Sequence, residues 1–297
     1  MSEIGMPTFR PGGASPDFPG MLMDVPHGRL SGTLLVSGDP GGRFHLRDGA
    51  IVEVTSPGAP GIETLLLRSG RVSESDWASV LRSGPAGRRV GTELVARELV
   101  GSAELQLICV MAALDGALAM GMGRIDRIAL DPEPPVSGFP APEGIEPEWL
   151  GHETERRIRA LSGQPISPFR DRLARTGAGN GLLDGGAAGE RREILQRANG
   201  RRSSRDIAFL LGRGLYAVTV EASRLLNEGL LQVALSALEE AERPAAAPAA
   251  EGAARLPRRR PGASGINDVL PLRPVAAPWR RPAPAPAERE RGSAGAP

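Results

Sequence analysis

Lysine is missing altogether. All 36 basic side chains of this 297-residue chain are arginine, the pattern of a GC-rich coding bias before that of a dedicated binding surface. Cysteine is nearly missing too. Cys109 stands alone, which excludes a disulfide framework or a thiolate metal cluster within one chain and fits a reducing cytoplasm. It also lacks a charged neighbour in sequence that would make it nucleophilic. The three histidines, His27, His45 and His152, lie far apart, and none has a second ligand or a carboxylate at helical spacing. A metal site or an acid/base dyad is therefore not expected, and His45 reads as an exposed sheet residue.

Gly177, Gly179 and Gly181 have no strand before them and no clear helix after, so they do not form a phosphate cradle. Asp48-Gly49 reads as a hairpin turn and not as a catalytic acid. The expectation is a protein that is not an enzyme and needs no cofactor. The opening MSEIGMPTFRPGGASPDFPG lacks the basic start and apolar core of a secretory signal. The longest apolar run, Leu105 to Met122, is broken by Asp115 and two glycines. It is about long enough to span a bilayer, but it reads as a buried helix of a soluble, cytoplasmic protein.

What is present divides into segments. Residues 1–21 and the Ala/Pro/Arg-rich stretch 244–297 have too little apolar content to offset ordering entropy, so both are expected to be disordered. The formal net charge of +1 hides an imbalance, because residues 251–297 hold nine Arg against four Asp or Glu. Arg258, Arg259 and Arg260 could attract phosphate or an anionic membrane surface. The apolar island from Ile266 to Trp279 could order on a partner, or be a spacer.

Between these ends, an α+β fold is expected. Residues 30–36, 43–47 and 50–55 alternate as strands, joined by the turn signals GDPGG and DG, so a three-stranded antiparallel meander is the simple arrangement. Phe44 and Leu46 share one face, and Arg43, His45 and Arg47 the other. Helices over 60–69, 73–82, 88–100 and 102–120 are expected to cover the apolar face, the second starting at a Ser73/Asp76 capping box. Gly123 to Leu130 is then free to return to the sheet edge.

The segments GRLSGTLLVS, RFHLRDGAIVEVTSPGAPGIETLL and VGTELVARELVGSAELQLICVMAAL resemble the PATAN domain of bacterial response regulators, a likeness that covers roughly residues 20–130. Its marks are structural, the Gly49 turn and Leu65-Leu66. The resemblance implies an interaction domain at about 22–130 that binds a signalling protein or a second copy of itself, with no catalytic residue to carry over. No receiver-domain pattern accompanies it.

Residues 131–187 read as a Pro/Gly-rich linker holding one helix, 149–161. Six prolines within 131–147 exclude a helix or a central strand there. The following segment, 188–243, reads as a small winged-helix-like domain. Ser203 or Ser204 can cap a helix whose Ile207, Leu210 and Leu211 share a face, Gly212-Arg213-Gly214 makes the turn, and a last helix from about Tyr216 to Asn227 leads to a strand at 230–233. On that helix Val218, Ala222, Leu225 and Leu226 form the inner stripe. Tyr216, Val220, Ser223, Arg224 and Asn227 form the outer one, where Asn can pair with adenine, Arg with guanine, and Val can touch a thymine methyl.

Arg201, Arg202, Arg205 and Arg213 stand where phosphate contacts usually fall. Those nine residues are the candidate DNA-binding set. Eight Arg against five acids over 190–233 make only a modest electrostatic footprint, and ALSALEEAE after Val233 reads as acidic helix instead of a basic wing. The function expected is that of a transcriptional regulator that binds double-stranded DNA; the alternative is a signalling adaptor whose winged helix and tail dock proteins.

Overall fold

The computed structural model describes residues 18–23, 30–83, 90–133, 137–185 and 189–234. The expected disorder of 1–17 and 244–297, the acidic helix after Val233 and the island at 266–279 lie outside the described residues.

The chain is a mixed α+β protein with two antiparallel sheets. In the first, β1 (Gly32–Asp39), β2 (Gly42–Arg47), β3 (Ala50–Thr55) and β4 (Arg124–Asp131) are ordered β3-β2-β1-β4. The expected meander is there, and β4 does return to its edge beside β1. Register explains the buried face. Val54, Phe44, Leu34 and Leu130 stand opposite one another across the four strands, and the first three are buried. Arg43 and Arg47 point the other way and are exposed. His45 departs from the expectation: it is half-buried, its Nδ1 3.0 Å from Thr33 Oγ1, and burial holds its pKa below the usual imidazole value.

The helices α1 (Phe18–Met23), α2 (Ile62–Leu67), α3 (Glu74–Ser83), α4 (Val90–Ala96), α5 (Ser102–Gly121) and α6 (Pro147–Ser162) pack around this sheet. Ser73 Oγ accepts from the Asp76 amide at 3.1 Å, so α3 starts where the capping pattern places it. The long helix α5 has the length and apolarity to cross a membrane, yet it is the core helix of this unit, buried without a break from Ala112 to Met120. Small residues permit that: a Cβ on Gly116 would lie 3.0 Å from Val54 Cγ1, so the helix rests directly on β3.

Two segment boundaries differ from those the sequence suggested. Phe18 and Leu22 of α1 are fully buried beneath the helix α6, so residues 18–21 belong to the core and not to a disordered start. The 131–187 segment is no passive linker. Ile145 pairs with Ile51 at the sheet edge, and α6 contributes Leu150 to the first core.

The second unit starts near Ile166 instead of 188. It comprises β5 (Arg172–Arg175), α7 (Gly177–Asp184), α8 (Gly189–Arg197), β6 (Asn199–Arg202), α9 (Ser204–Leu211), α10 (Leu215–Asn227) and β7 (Leu231–Ala234). Its sheet runs β6-β5-β7, all antiparallel, so the middle strand comes from upstream of the helices it serves. Proline and glycine content had marked that region as linker, but a four-residue strand needs only one buried side chain, here Leu173. The glycine run forms α7, capped by Thr176, whose hydroxyl accepts from the Gly179 amide at 3.1 Å.

The core joins Leu173, Ile194, Leu195, Ile207, Val218, Ala222 and Leu225. The Ser203/Asp206 capping box opens α9, and Gly212, at φ 60°, closes it in the left-handed region that favours glycine. Replacing Ser203 with Ala removes the acceptor for the Asp206 amide. Urea denaturation should register a loss of about 1 kcal/mol, and an unchanged midpoint would mean the cap contributes nothing.

Candidate functional site

The nine candidate residues do not form one free surface. On α10, Arg224 and Asn227 are exposed and Val220 is half-buried. Ser223 corrects the outward reading of that flank: it is buried, and its hydroxyl donates to Thr219 O at 2.9 Å. Thr219 does the same to Leu215 O at 2.8 Å. Two hydroxyls that bond back onto their own helix are satisfied inside a packed face, so Ser223 needs no outside partner.

The arginines are largely engaged. Arg213 sits 2.7 Å from Glu193 and 3.6 Å from Glu190, and Arg224 lies 3.2 Å from Glu221. Arg202 donates to Arg197 O at 3.1 Å, and Arg205 donates to Pro57 O at 2.6 Å while covering the Phe209 ring. Arg201 is exposed. Elsewhere in the unit Arg172 is 2.5 Å from Asp206, and Arg191 pairs with both Glu221 and Glu228. Acids interleaved with the arginines lower the local potential that would draw a phosphate backbone.

The leading end of α10 meets the first unit. Asp115, in the middle of α5, is almost fully buried and accepts from the Leu215 amide at 2.6 Å and the Tyr216 amide at 3.2 Å. These are first-turn donors that have no partner inside the helix, and a carboxylate there also meets the positive end of the helix dipole. Arg157 of α6 lies 3.3 Å from Asp115 Oδ1, the oxygen that also accepts from the Tyr216 amide. Its guanidinium is held by Glu153 at 3.0 Å and sits 4.7 Å from the centroid of the Tyr216 ring. Arg156 and Arg157 keep Glu153 below the usual carboxylate range.

Around this cluster the backbones come close. A Cβ at Gly214 would stand 2.8 Å from Asp115 Oδ2, and one at Gly212 would stand 2.6 Å from the Ser69 amide nitrogen. The turn between α9 and α10 is thus sealed against α5 and the end of α2.

Sequence reasoning missed Asp115 and Arg157. The available signal is an acid in the buried middle of the apolar run Leu105 to Met122, which hydropathy alone reads as a break in that run.

Among the described residues, no three His, Cys, Asp or Glu side chains gather as a metal would require. Cys109 is buried, and burial pushes its thiol up to about 12, so it carries no thiolate at neutral pH. No family model, no curated protein and no solved structure matches the chain.

Proposed function

We propose that this chain is a non-enzymatic bacterial signalling adaptor of the reducing cytoplasm. A PATAN-like interaction unit carries a winged-helix-like unit, which docks a protein partner. The observation that carries this reading is the state of the arginines on and around α10. Arg213 and Arg224 are matched by acids of their own unit, and Arg205 is spent on the Pro57 carbonyl. Affinity for nucleic acid is dominated by phosphate neutralisation, and arginines already paired with acids of their own unit attract a phosphate backbone less strongly.

The α+β architecture and the β6-β5-β7 sheet beside the α8, α9 and α10 helices are compatible with the winged-helix reading. The PATAN resemblance supplies the signalling context.

A transcriptional regulator is the second reading. Arg201, Arg224 and Asn227 favour it, since all three remain exposed and are types that contact phosphate or bases. Fluorescence anisotropy of pooled labelled duplex DNA at two salt concentrations separates the two. The adaptor reading expects no salt-dependent binding by the intact protein. Binding that weakens steeply with salt, with Arg201→Ala flattening the slope and Arg224→Ala relaxing sequence preference, would establish the regulator instead.

A further inference from the structure

The two apolar cores are separate clusters within one compact unit of residues 1–243, and few apolar side chains bridge them. Ala59, Ala119 and Leu215, with Phe169 against them, are the apolar cluster at the junction. The rest of the contact is polar: the Asp115 carboxylate on two amides of α10, Arg157 on Asp115 and Tyr216, and Arg205 on the Pro57 carbonyl. A contact held mainly by polar groups lacks the apolar burial that makes an internal interface permanent.

Closing this contact also takes a carboxylate out of water. Burial outweighs both Arg157 and the two amides and pushes the Asp115 carboxyl up to about 6. The closed arrangement therefore carries a desolvation cost that opening relieves.

We propose that Asp115, Arg157 and Tyr216 form an autoinhibitory latch: the first unit holds the leading end of α10 and the turn before it, and opening of the α5–α10 contact presents that end to a partner. The latch rests on the docking reading only in its purpose, because opening is a property of the chain alone. The covered end comprises Gly212, Gly214 and Leu215, with Tyr216 half-buried beside them, and the flank carrying Arg224 and Asn227 is exposed with the latch closed. The unit thus has two states with different surfaces. A signal that loosens α5 or α6 changes what α10 can meet.

Distance measurement by pulsed electron resonance on the full chain tests this directly. Nitroxides go on Arg47→Cys in β2 and Asn227→Cys on α10, both exposed positions, while buried Cys109 stays unlabelled. The otherwise unaltered chain should give one narrow distance. Asp115→Ala leaves two amides without an acceptor, and Arg157→Ala leaves the carboxylate without its cation. Each should add a second, broader population, with the opening equilibrium raised on the order of 10- to 100-fold. Asp115→Asn, which keeps the volume and one acceptor, should open less.

Amide exchange is followed in parallel at Phe44 and Ala117 in one core and at Ile207, Ala222 and Leu225 in the other. These amides should stay protected in every variant. An unchanged narrow distance in both alanine variants overturns the latch, as does broadening accompanied by loss of core protection. The docking reading fails separately: a variant that opens and then gains salt-dependent DNA binding keeps the latch and makes the protein a regulator.

Discussion

Replacing Phe44 with Ala should lower the stability of the first unit by about 3–5 kcal/mol. The ring is fully buried, stands between Leu34 and Val54 in the sheet register, and lies 5.9 Å from the Phe18 ring at a tilt of 52°. Truncation loses buried apolar area and also leaves a void beside the Phe18 ring of α1. Trp77 stacks on Phe139 at 5.6 Å in the same unit, so tryptophan fluorescence during urea denaturation reports on it. Leu173→Ala in the second core should cost a comparable 2–5 kcal/mol but leave the Trp77 transition nearly in place, because the two cores are separate clusters. A Phe44→Ala loss below about 1 kcal/mol would mean the site collapses around the smaller side chain. Equal displacement of the Trp77 transition by both substitutions would mean that the cores unfold as one.

That contrast between cores follows from what the chain makes legible. The first sheet could be read from sequence because its signals are local: alternation in RFHLR, a glycine turn at Gly49, and a return strand after a helix of the right length. The α9–turn–α10 pair could be read for the same reason, since the Ser203/Asp206 box and Gly212 set helix ends by short-range geometry. Signals of longer range were not legible. β5 is four residues long and makes sense only beside β6 and β7, which come some 25 and 60 residues later. Leu150 of α6 and Phe18 of α1 bury each other's surroundings across the sequence, so composition alone assigned their segments to linker and disordered start.

The same limit hid the junction. Nothing near Asp115 in sequence says that two amides a hundred positions away will point at it. Helical periodicity places Ser223 on the outer flank, whereas it is buried and its hydroxyl bonds back to the helix at Thr219 O. A stripe calculation knows only one buried side, whereas α10 is covered both by its own unit and, at its leading end, by α5. The outer flank that remains, Arg224 and Asn227, is narrower than the one the sequence suggested.

Removing Arg157 should be among the most damaging single changes to the junction, and pH should expose why. Asp115 is faced by Arg157 and, through it, Glu153 from α6, and by Tyr216 and the two amides from α10. Its carboxyl stands at about 6 in the folded chain against 3.8 for the free group, burial being the largest cause and Arg157 the main opposing one. A carboxyl raised on folding binds its proton more tightly in the native state. Its stabilising contribution is therefore complete below about pH 4 and is lost as pH climbs through about 6. The difference amounts to roughly 3 kcal/mol. Urea midpoints from pH 4 to pH 8 should show wild type losing ground to Asp115→Asn across that window, because the amide cannot ionise. Arg157→Ala should cost about 3 kcal/mol at pH 7 by leaving a buried charge unpaired. It should also push the Asp115 carboxyl higher, so that the decline continues above pH 7. A constant gap between wild type and Asp115→Asn over the whole range would mean that Asp115 does not titrate there. A fall at low pH instead would mean that the two amides and Arg157 outweigh burial, and that the closed contact is held more firmly than its desolvation allows.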